Sequence, residues 1–426
     1  MITKRLLVLI SFFTLLSYTN VQAQLYSDDL YWTTTWLRND KLTSGFQNKG
    51  YVLVKGSLLY NSTAVTNDFV TQQLYQQNTP SAEDTKFSVD RLKDHNSLGA
   101  DVNASVAAGF RFADTSWLMD VGVGYRDFSY LYFTKDLFKL AFEDYEQYVD
   151  NYAQVGESNM REYNYATVFV GFQKTISKNV MLGGRFSFIK GGFYQEVNIE
   201  KGTVYLSDGL FMPYADINAP FQYYAQERTQ NPFASDNGWG AGVDVYGRFV
   251  FNSTMLTAEV RDLGFVNWRN MDAYIGDKTY RYNGYNIADI LQPNNIGDTS
   301  PDEVFADMGI PKQKVNRRTS LPTKIQVGIL QKLNQNIALK ADVNYMFLPA
   351  YKPYVKASAI LSAGNSFYFA PGVAVGGYGK INSQLGMGVT LGDSWSVQLN
   401  VMALEYLLAR KTYAGHGVDL FLAKSF

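Results

Sequence analysis

The sequence predicts a closed antiparallel transmembrane β-barrel of about fourteen strands, with short periplasmic turns and long extracellular loops that contain short helices. Three observations predict it: hairpins that alternate apolar and polar residues, connections that are alternately short and long, and many aromatic residues without long apolar runs. The clearest hairpin extends from Gly238 to Trp268, alternates in both arms and turns at Asn252-Ser253. Such an amphipathic hairpin is the repeating unit of a membrane barrel.

The composition excludes several other classes of protein. After the first 23 residues no run of about 18 apolar residues occurs, which excludes membrane-spanning helices. The 31 Tyr, 28 Phe and 6 Trp suit the aromatic girdles of a barrel. The absence of cysteine excludes disulfides and a lipoprotein anchor. A formal net charge of −1 gives no electrostatic support for a nucleic acid partner.

The N-terminal residues predict a Sec-type signal peptide over Met1–Ala23. Lys4 and Arg5 precede an apolar run, and the small residues before Gln24 form a cleavage site near Ala23. Removing the peptide takes the formal charge from −1 to −3, because it contains two basic residues and no acidic one. A barrel secreted in this way is expected in the outer membrane of a Gram-negative cell.

Three interpretations stay open for the segment Gln24–Lys49, which alternates poorly. It could plug the barrel lumen, line the periplasmic mouth or form a leader strand. The barrel itself is predicted over residues 50–426. Its fourteen strands are predicted at Gly50–Tyr60, Leu98–Phe112, Trp117–Arg126, Tyr163–Thr175, Val180–Ile189, Gly238–Phe251, Thr254–Asp262, Thr323–Leu333, Ile337–Tyr345, Tyr354–Leu361, Phe367–Gly376, Gln384–Leu391, Trp395–Ala403 and Gly417–Phe426.

The connections between these strands distinguish a barrel from a secreted β-sandwich or propeller, which would also be rich in Tyr and Phe. Every second connection is tight and the others are longer, as expected when one set faces the periplasm and the other the outside. A soluble sandwich has no reason to keep this alternation. The tight connections are Ala113–Ser116, Ile176–Asn179, Asn252-Ser253, Asn334–Asn336, Ser362–Ser366 and Gly392–Ser394.

The last strand carries a terminal aromatic residue, Phe426, on an alternating apolar face. This ending looks like the signal that the outer-membrane insertion machinery reads. Outer-membrane lipid is the partner of the apolar faces, which leaves the charged side chains pointing into the lumen. The lumen-facing candidates are Asp120, Arg126, Arg185, Asp244, Arg248, Glu259, Arg261 and Asp342, with Asp101, Arg111, Lys340 and Asp419 beside them.

Two helices are predicted in the long loops. Thr134 can cap a helix that extends to about Tyr152, with one apolar face. The capping box that begins at Ser300, with proline at the first helical position, predicts a short helix to Met308. Either helix could cover the mouth, bind a partner or pack on the barrel rim.

No catalytic or cofactor site is predicted. The two histidines, His95 and His416, precede the strands that flank the first strand, and adjacency in sequence to Asp94 and Ser97 does not make a triad. The sequence contains no zinc spacing, calcium loop or phosphate loop. The protein is therefore expected not to be an enzyme and to use no cofactor.

The segment from Glu259 to Trp268 resembles a family of uncharacterised outer-membrane barrels of Bacteroidetes-type bacteria that is related to the long-chain fatty-acid transporter FadL. The shared motif is Asp262-Leu263-Gly264 followed by Trp268, with the aromatic pair Tyr280 and Tyr282 further on. Two more patches, Leu182–Gly191 and Leu321–Lys324, carry the resemblance across the middle of the chain. It implies a fourteen-stranded barrel, an N-terminal plug and transport of apolar molecules, without naming a ligand.

Two hypotheses for function follow. The first is a passive FadL-like transporter of a small apolar or amphipathic molecule, with a hydrophobic ligand that a shift of Gln24–Lys49 or a gap in the wall releases. Candidate kinks for such a gap are Gly183-Gly184, Gly376-Gly377 and Pro371, for which ordinary barrel curvature is the alternative explanation. The second is a non-transporting barrel that serves secretion, attachment or biogenesis. In that case the loops Phe193–Tyr224 and Phe265–Arg318 would dock a membrane-protein partner.

Overall fold

The computed structural model of the chain describes residues 50–72, 81–112, 116–143, 145–207, 214–227, 232–276, 279–283, 305–306, 309–364, 366–392, 395–405 and 413–426. The predicted signal peptide, the segment Gln24–Lys49 and most of the helix predicted from Ser300 to Met308 lie outside these residues. Among the described residues, no helix is both long and apolar enough to cross a membrane.

The described residues form twenty strands and three short α-helices. The helices are α1 Asn67–Val70, α2 Ala82–Val89 and α3 Lys135–Phe142, with 3-10 turns at Tyr145–Tyr148 and Pro232–Ala234. The strands are β1 Gly50–Ser62, β2 His95–Arg111, β3 Trp117–Thr134, β4 Tyr152–Gln154, β5 Ser158–Ser177, β6 Val180–Ile199, β7 Thr203–Ser207, β8 Tyr214–Asn218, β9 Phe221–Ala225, β10 Gly238–Phe251, β11 Thr254–Gly276, β12 Tyr280–Asn283, β13 Gln313–Ser320, β14 Lys324–Lys332, β15 Ile337–Met346, β16 Lys352–Ala363, β17 Phe367–Gly377, β18 Asn382–Leu391, β19 Trp395–Met402 and β20 Gly415–Ser425.

Fourteen of the described strands close into one antiparallel barrel, which confirms the predicted fold. Around the wall they follow the order β1, β2, β3, β5, β6, β10, β11 and then β14 to β20, and β20 pairs with β1. The long loops add further strands at the extracellular side. There β9 pairs with β6 and β11, β13 pairs with β11, and β12, β8, β7 and β4 form a separate sheet, here named the loop sheet.

Four barrel strands, β3, β5, β6 and β11, extend well beyond their predicted bounds. In β11 the buried residues are Glu259 and Arg261 before Asp262, but Val266 and Trp268 after it. The switch occurs because Asp262 has a φ of 52° in a bulge where the register to β10 shifts. A bulged residue transfers the following side chains to the opposite face, so the period-2 pattern stops there although the strand continues.

The barrel wall separates an apolar exterior from a filled interior. Outward side chains such as Val418 and Leu420 are exposed, as expected of a lipid-facing surface. Lys424, which interrupts this face, lies at the periplasmic end with its Nζ 5.1 Å from the ring centre of Trp395. A lysine there can extend its ammonium to the headgroups while its stem covers apolar surface.

The helix predicted from Thr134 to Tyr152 is wrong in its second half. Thr134 does cap α3, because its hydroxyl accepts a hydrogen bond from the amide of Leu137. The helix ends at Phe142, however, and Tyr152 opens strand β4. The apolar residues after the helix, including Tyr148 and Ala153, pack with Leu140 under the loop sheet instead of extending a helical face.

Candidate functional site

Charged side chains form a layer across the middle of the barrel interior. All eight lumen-facing candidates are buried, with at most 7% of each residue exposed. Asp120 accepts a hydrogen bond of 2.6 Å from Arg185, whose guanidinium also lies 3.9 Å from the ring centre of Phe169. We use the term ionic layer for the set Asp101, Asp120, Arg126, Arg185, Asp244, Glu259, Arg261 and Asp262.

Arg126 is the centre of this layer. Its Nε and Nη2 donate to the two carboxylate oxygens of Asp101 at 3.0 and 2.9 Å, on the neighbouring strand β2. Its Nη1 donates at 2.6 Å to Asp262 on β11, four strands away around the wall. The side chain therefore extends through part of the lumen and ties together two strands that are not neighbours in the wall. We name the Arg126–Asp262 contact the strut.

The bulge at Asp262 supplies the geometry of the strut. Its amide donates at 2.8 Å to the carboxylate of Asp244, and its carbonyl accepts from the hydroxyl of Thr323 at 2.8 Å. These two bonds hold the left-handed backbone so that the carboxylate points inward beside Arg261 rather than alternating outward. Arg261 in turn donates to the carboxylate of Glu259.

The remaining candidates lie elsewhere in the lumen. Arg248 is buried on β10 nearer the periplasmic turn. Asp342 lies on the opposite half of the wall, where its Oδ2 is 3.3 Å from Nζ of Lys340. Of the other residues that were predicted to face the lumen, Asp419 lines it and Arg111 lies at the periplasmic end of β2.

A band of aromatic rings lies above the ionic layer, toward the extracellular end. We name it the aromatic band. It extends from β11 through β6, β5 and β3 to the loops that follow β17 and β15. Successive ring centres in the first part are 5.2, 5.3, 6.4 and 6.3 Å apart, and in the second part 5.8 and 5.1 Å. The rings are, in order, Trp268, Tyr194, Tyr163, Phe128, Tyr130, Tyr378 and Tyr351.

Residues of the shared motif shape both the ionic layer and the aromatic band. Trp268 is fully buried and its indole nitrogen donates to the hydroxyl of Thr319 at 2.8 Å. A Cβ on Gly264 would lie 2.1 Å from the carbonyl oxygen of Ala241, so only glycine lets β10 and β11 approach after the bulge. Leu263, directly before Gly264, is exposed on the outer surface.

The lumen contains cavities on both sides of the strut. One, of about 20 Å³, lies between Arg126 and Arg185. A larger one of about 150 Å³, named here the chamber, shares Arg126 and Asp262 with the first. The chamber is lined by charged and amide residues and by apolar ones: Lys55, Asp101, Asn103, Arg126, Arg261, Asp262, Lys324, Asn344, Lys356, Gln398, Asn400 and Asp419, with Leu59, Met346, Tyr351, Tyr354, Met402 and Phe421.

A side pocket of about 70 Å³ adjoins the chamber and shares four lining residues with it. It adds Lys340, Asp342 and Ser358 to the lining. Sequence reasoning missed most chamber residues, notably Gln398 and Lys356. The inward parity of β16 and β19 could have identified them, since Ile360 and Ser396 are buried on the same faces.

A glycine makes room for the side-pocket carboxylate. Gly328 on β14 is opposite Asp342, and a Cβ on it would lie 2.3 Å from Asp342 Oδ1 and 2.6 Å from the hydroxyl of Thr257. We expect Gly328→Ala to lower the free energy of unfolding by about 1–3 kcal/mol through overpacking. Urea unfolding of the refolded barrel measures this. The control is Gly56→Ala, whose Cβ would have no atom within 4 Å; equal losses in both variants would contradict the steric explanation.

The histidines and the loop sheet lie at the extracellular side. His95 stacks on Tyr132 with ring centres 5.5 Å apart, whereas His416 contacts Tyr60 at 5.5 Å on the other side of β1. On the loop sheet, two hydrogen bonds of 2.6 Å from Arg281 hold the pKa of Asp216 below its usual value. Within the described part of the chain, no group of three or more potential ligands could hold a metal ion.

Comparison with known proteins gives a family and a set of similar folds. A family model described as a family of unknown function (DUF5723) matches residues 45–399. No curated protein sequence is significantly similar to the chain. The chain is similar in structure to the Pseudomonas putida toluene transporter TodX, with a TM-score of 0.45, 8% identity and coverage of 92% of this chain and 94% of that one.

Two further solved structures give similar values. The Ralstonia pickettii toluene transporter TbuX has a TM-score of 0.44 and 9% identity, over 90% of this chain and 91% of that one. A Pseudomonas aeruginosa FadL homologue has a TM-score of 0.45 and 8% identity, over 96% of this chain and 99% of that one. The family match confirms the predicted resemblance to a family without an assigned function, whereas the motif at Asp262 as its mark and the Bacteroidetes-type origin stay predictions.

Proposed function

This chain belongs to the DUF5723 family, whose function is unknown. From its barrel interior we propose that it is a passive outer-membrane passage for small amphipathic molecules. The observation that carries this proposal is the layered lumen, with an aromatic band above a polar chamber. An amphipathic molecule matches both layers, since rings accept its apolar part and the chamber accepts its polar group.

A depression in the outer face of the wall supports release sideways into the membrane. A depression of about 590 Å³ lies on the lipid-facing side of β14 to β17, and it shares Lys340 and Ser358 with the side pocket inside. Small residues line both faces here. On the outer face these are Ala341, Ala357 and Ala359, and on the inner face they are Ser358 and Ala370.

The strand pairing between β16 and β17 is also interrupted at this place. Pro371 lies in the middle of β17 and has no amide hydrogen to donate to a neighbouring strand. Ser358 pairs with Gly372 and Leu361 with Phe369, and the pairs between them are missing from the ladder. Of the predicted kinks, Gly376 and Gly377 do have positive φ values of 105° and 63°, at the extracellular end of β17.

The candidate kink at Gly183-Gly184 does not interrupt the strand pairing, in agreement with the alternative of ordinary barrel curvature. The register of β6 to β5 and β10 continues through both glycines. Gly183 instead leaves room for the ring of Tyr246, which a Cβ would approach to 2.4 Å. The bulge of β6 lies farther up, where Asn164 pairs with Phe193 and Tyr165 with Gly191.

The experiment measures uptake of labelled 4-methylpentanol, a small neutral amphiphile, into cells whose lipopolysaccharide layer is intact. We expect faster initial uptake in cells that express the protein than in cells that lack it. Ala359→Trp should return uptake to the rate without the protein, because the indole fills the outer depression. The control Val418→Trp places the same side chain on the lipid-facing side of β20. Uptake that does not depend on the protein would overturn the proposal.

The alternative role, a docking subunit of an envelope assembly, finds no support in the comparisons. The loops assigned to docking, Phe193–Tyr224 and Phe265–Arg318, continue as β6, β11 and β13 and as parts of the loop sheet over much of their described length. These segments therefore have a structural use in the barrel rim.

A further inference from the structure

Four outward-facing side chains form a row across the extracellular border of the barrel wall. Lys190 on β6 lies directly opposite Trp239 on β10. Trp239 in turn lies opposite Asn267 on β11, which lies opposite Arg318 on β13. Neighbouring strands are about 4.8 Å apart, so the Cα atoms of the two cationic residues at the ends are roughly 14 Å apart. We name these four residues the outer row.

The outer row lies where the lipid-facing band of the wall ends. β6 begins after a tight periplasmic turn, and its exposed outward residues are Leu182, Phe186 and Phe188 before the column reaches Lys190. The neighbouring Ile189 points the other way and is buried in the lumen. A lysine and an exposed tryptophan above such an apolar column mark the level of the lipid headgroups on the extracellular side.

Both cations of the outer row are accessible from the membrane. Arg318 is exposed, and its Cζ lies 3.6 Å from the ring centre of Phe265. A guanidinium that stacks on a ring keeps its in-plane N–H groups available for hydrogen bonds. Lys190 has 30% of its side chain exposed, and its Nζ lies 3.5 Å from the carboxylate of the fully solvated Asp236. An exposed pair at this distance is weak, so a more strongly charged anion can displace it.

The middle of the row suits a sugar ring. Trp239 is 41% exposed, and its indole is held edge-on against Phe265 with ring centres 6.5 Å apart. An exposed indole offers a flat apolar face for stacking, and the amide of Asn267 can both donate to and accept from hydroxyl groups. The order along the row is therefore cation, aromatic ring, amide and cation. A complementary ligand has an anionic group at each end and a hydroxyl-bearing ring between them.

The outer leaflet of a Gram-negative outer membrane presents such a headgroup in lipid A, a disaccharide with a phosphate at each end. A glycerophospholipid carries one phosphate and reaches only one of the two cations. From the charges and the spacing of the outer row we infer that this face of the barrel binds the phosphorylated disaccharide of lipid A, with Lys190 and Arg318 as the phosphate ligands. This site is on the outer surface and does not depend on which molecule passes through the lumen.

The test compares lipids that share their acyl chains and differ in phosphate. Native mass spectrometry of the purified full-length protein in detergent measures its affinity for bisphosphoryl, monophosphoryl and phosphate-free lipid A, and for phosphatidylglycerol. All titrations contain EDTA, so that no divalent cation can bridge a carboxylate to a phosphate. Since each Lys or Arg near an anionic lipid contributes about 5-fold in affinity, each lost phosphate should weaken binding by about that factor. Phosphatidylglycerol should bind no more tightly than the monophosphoryl form.

A double substitution locates the site. Lys190→Gln with Arg318→Gln should lower the affinity for bisphosphoryl lipid A by about 25-fold and leave that for the phosphate-free form unchanged. The matched control is Lys352→Gln with Arg281→Gln, which removes the same two charges from exposed positions on the extracellular side but outside the row. This control should bind bisphosphoryl lipid A as the unaltered protein does.

A single substitution tests the sign of the interaction. Asp236→Asn removes the carboxylate that competes for Lys190, so it should raise the affinity for bisphosphoryl lipid A by about 2- to 5-fold. A role of Asp236 only in holding the loop would give no such gain.

The outcomes are distinct from those for the proposed function. Binding that increases with each phosphate and that the double substitution alone abolishes supports the lipid A site. The inference is overturned if bisphosphoryl lipid A does not bind, if the phosphate-free form or phosphatidylglycerol binds as tightly, if the matched control loses as much affinity, or if Asp236→Asn gives no gain. Uptake of 4-methylpentanol tests the passage separately, and neither result decides the other.

Discussion

Replacing Arg126 by methionine is expected to open the lumen and to destabilise the barrel. The substitution keeps a long side chain but leaves Asp101 and Asp262 without the cation that they share. Breaking a buried ion pair from one side typically costs about 3–5 kcal/mol, and the partial exposure of both carboxylates reduces the expected loss to about 2–4 kcal/mol. Urea unfolding of the refolded protein measures this loss.

The same substitution removes the partition between the chamber and the cavity next to Arg185, because Arg126 and Asp262 line both. We therefore expect a higher ion conductance in planar bilayers, with a preference for cations, since two carboxylates lose their counter-charge. Arg281→Met is the matched control. It also breaks a two-bonded pair with an aspartate, Asp216, but on the exposed loop sheet. Unchanged conductance and stability in Arg126→Met would show that the strut does not divide the lumen.

The second large effect is expected for Trp268→Ala. Trp268 is fully buried, stacks on Tyr194 at 5.2 Å and donates to Thr319. Gly191 is shaped around its ring, since a Cβ there would lie 2.4 Å from the indole. Truncation leaves a cavity that rigid strands cannot fill and an unpaired hydroxyl, so the free energy of unfolding should fall by about 3–5 kcal/mol.

Trp239→Ala is the control for this prediction. Trp239 lies on the paired strand β10, opposite Asn267, but faces outward and is 41% exposed. Its removal takes away lipid contact without leaving an internal cavity, and the loss should be less than half as large. The unfolding midpoints of the two variants, measured in the same lipid, test this difference in stability. Equal losses would mean that the aromatic band does not stabilise the barrel more than the outer girdle does.

The sequence predicted the barrel because a membrane imposes a strict period on its strands. Each of the fourteen predicted strands overlaps a barrel strand, and the β10 bounds, Gly238–Phe251, are those of the prediction. Prediction failed where the period breaks for a local reason. The upper part of β11 was missed because Asp262 and Asn270, with φ values of 52°, each shift the register. The upper part of β6 was missed because of the bulge at Gly192.

The sequence by itself also predicted that several charged side chains of the strands point into the lumen. Charged groups in hydrocarbon cost several kcal/mol, so residues such as Asp120 and Arg185 could only be assigned inward. Their partners could not be assigned, because a pair across a barrel depends on which strands lie opposite one another after closure. Only the tertiary structure brings Arg126 to Asp262, 136 residues apart in sequence, and assembles the chamber from strands at both ends of the chain. Period-2 alternation determines only which side chains of a single strand share a face, whereas the strut and the chamber depend on closure of the whole wall.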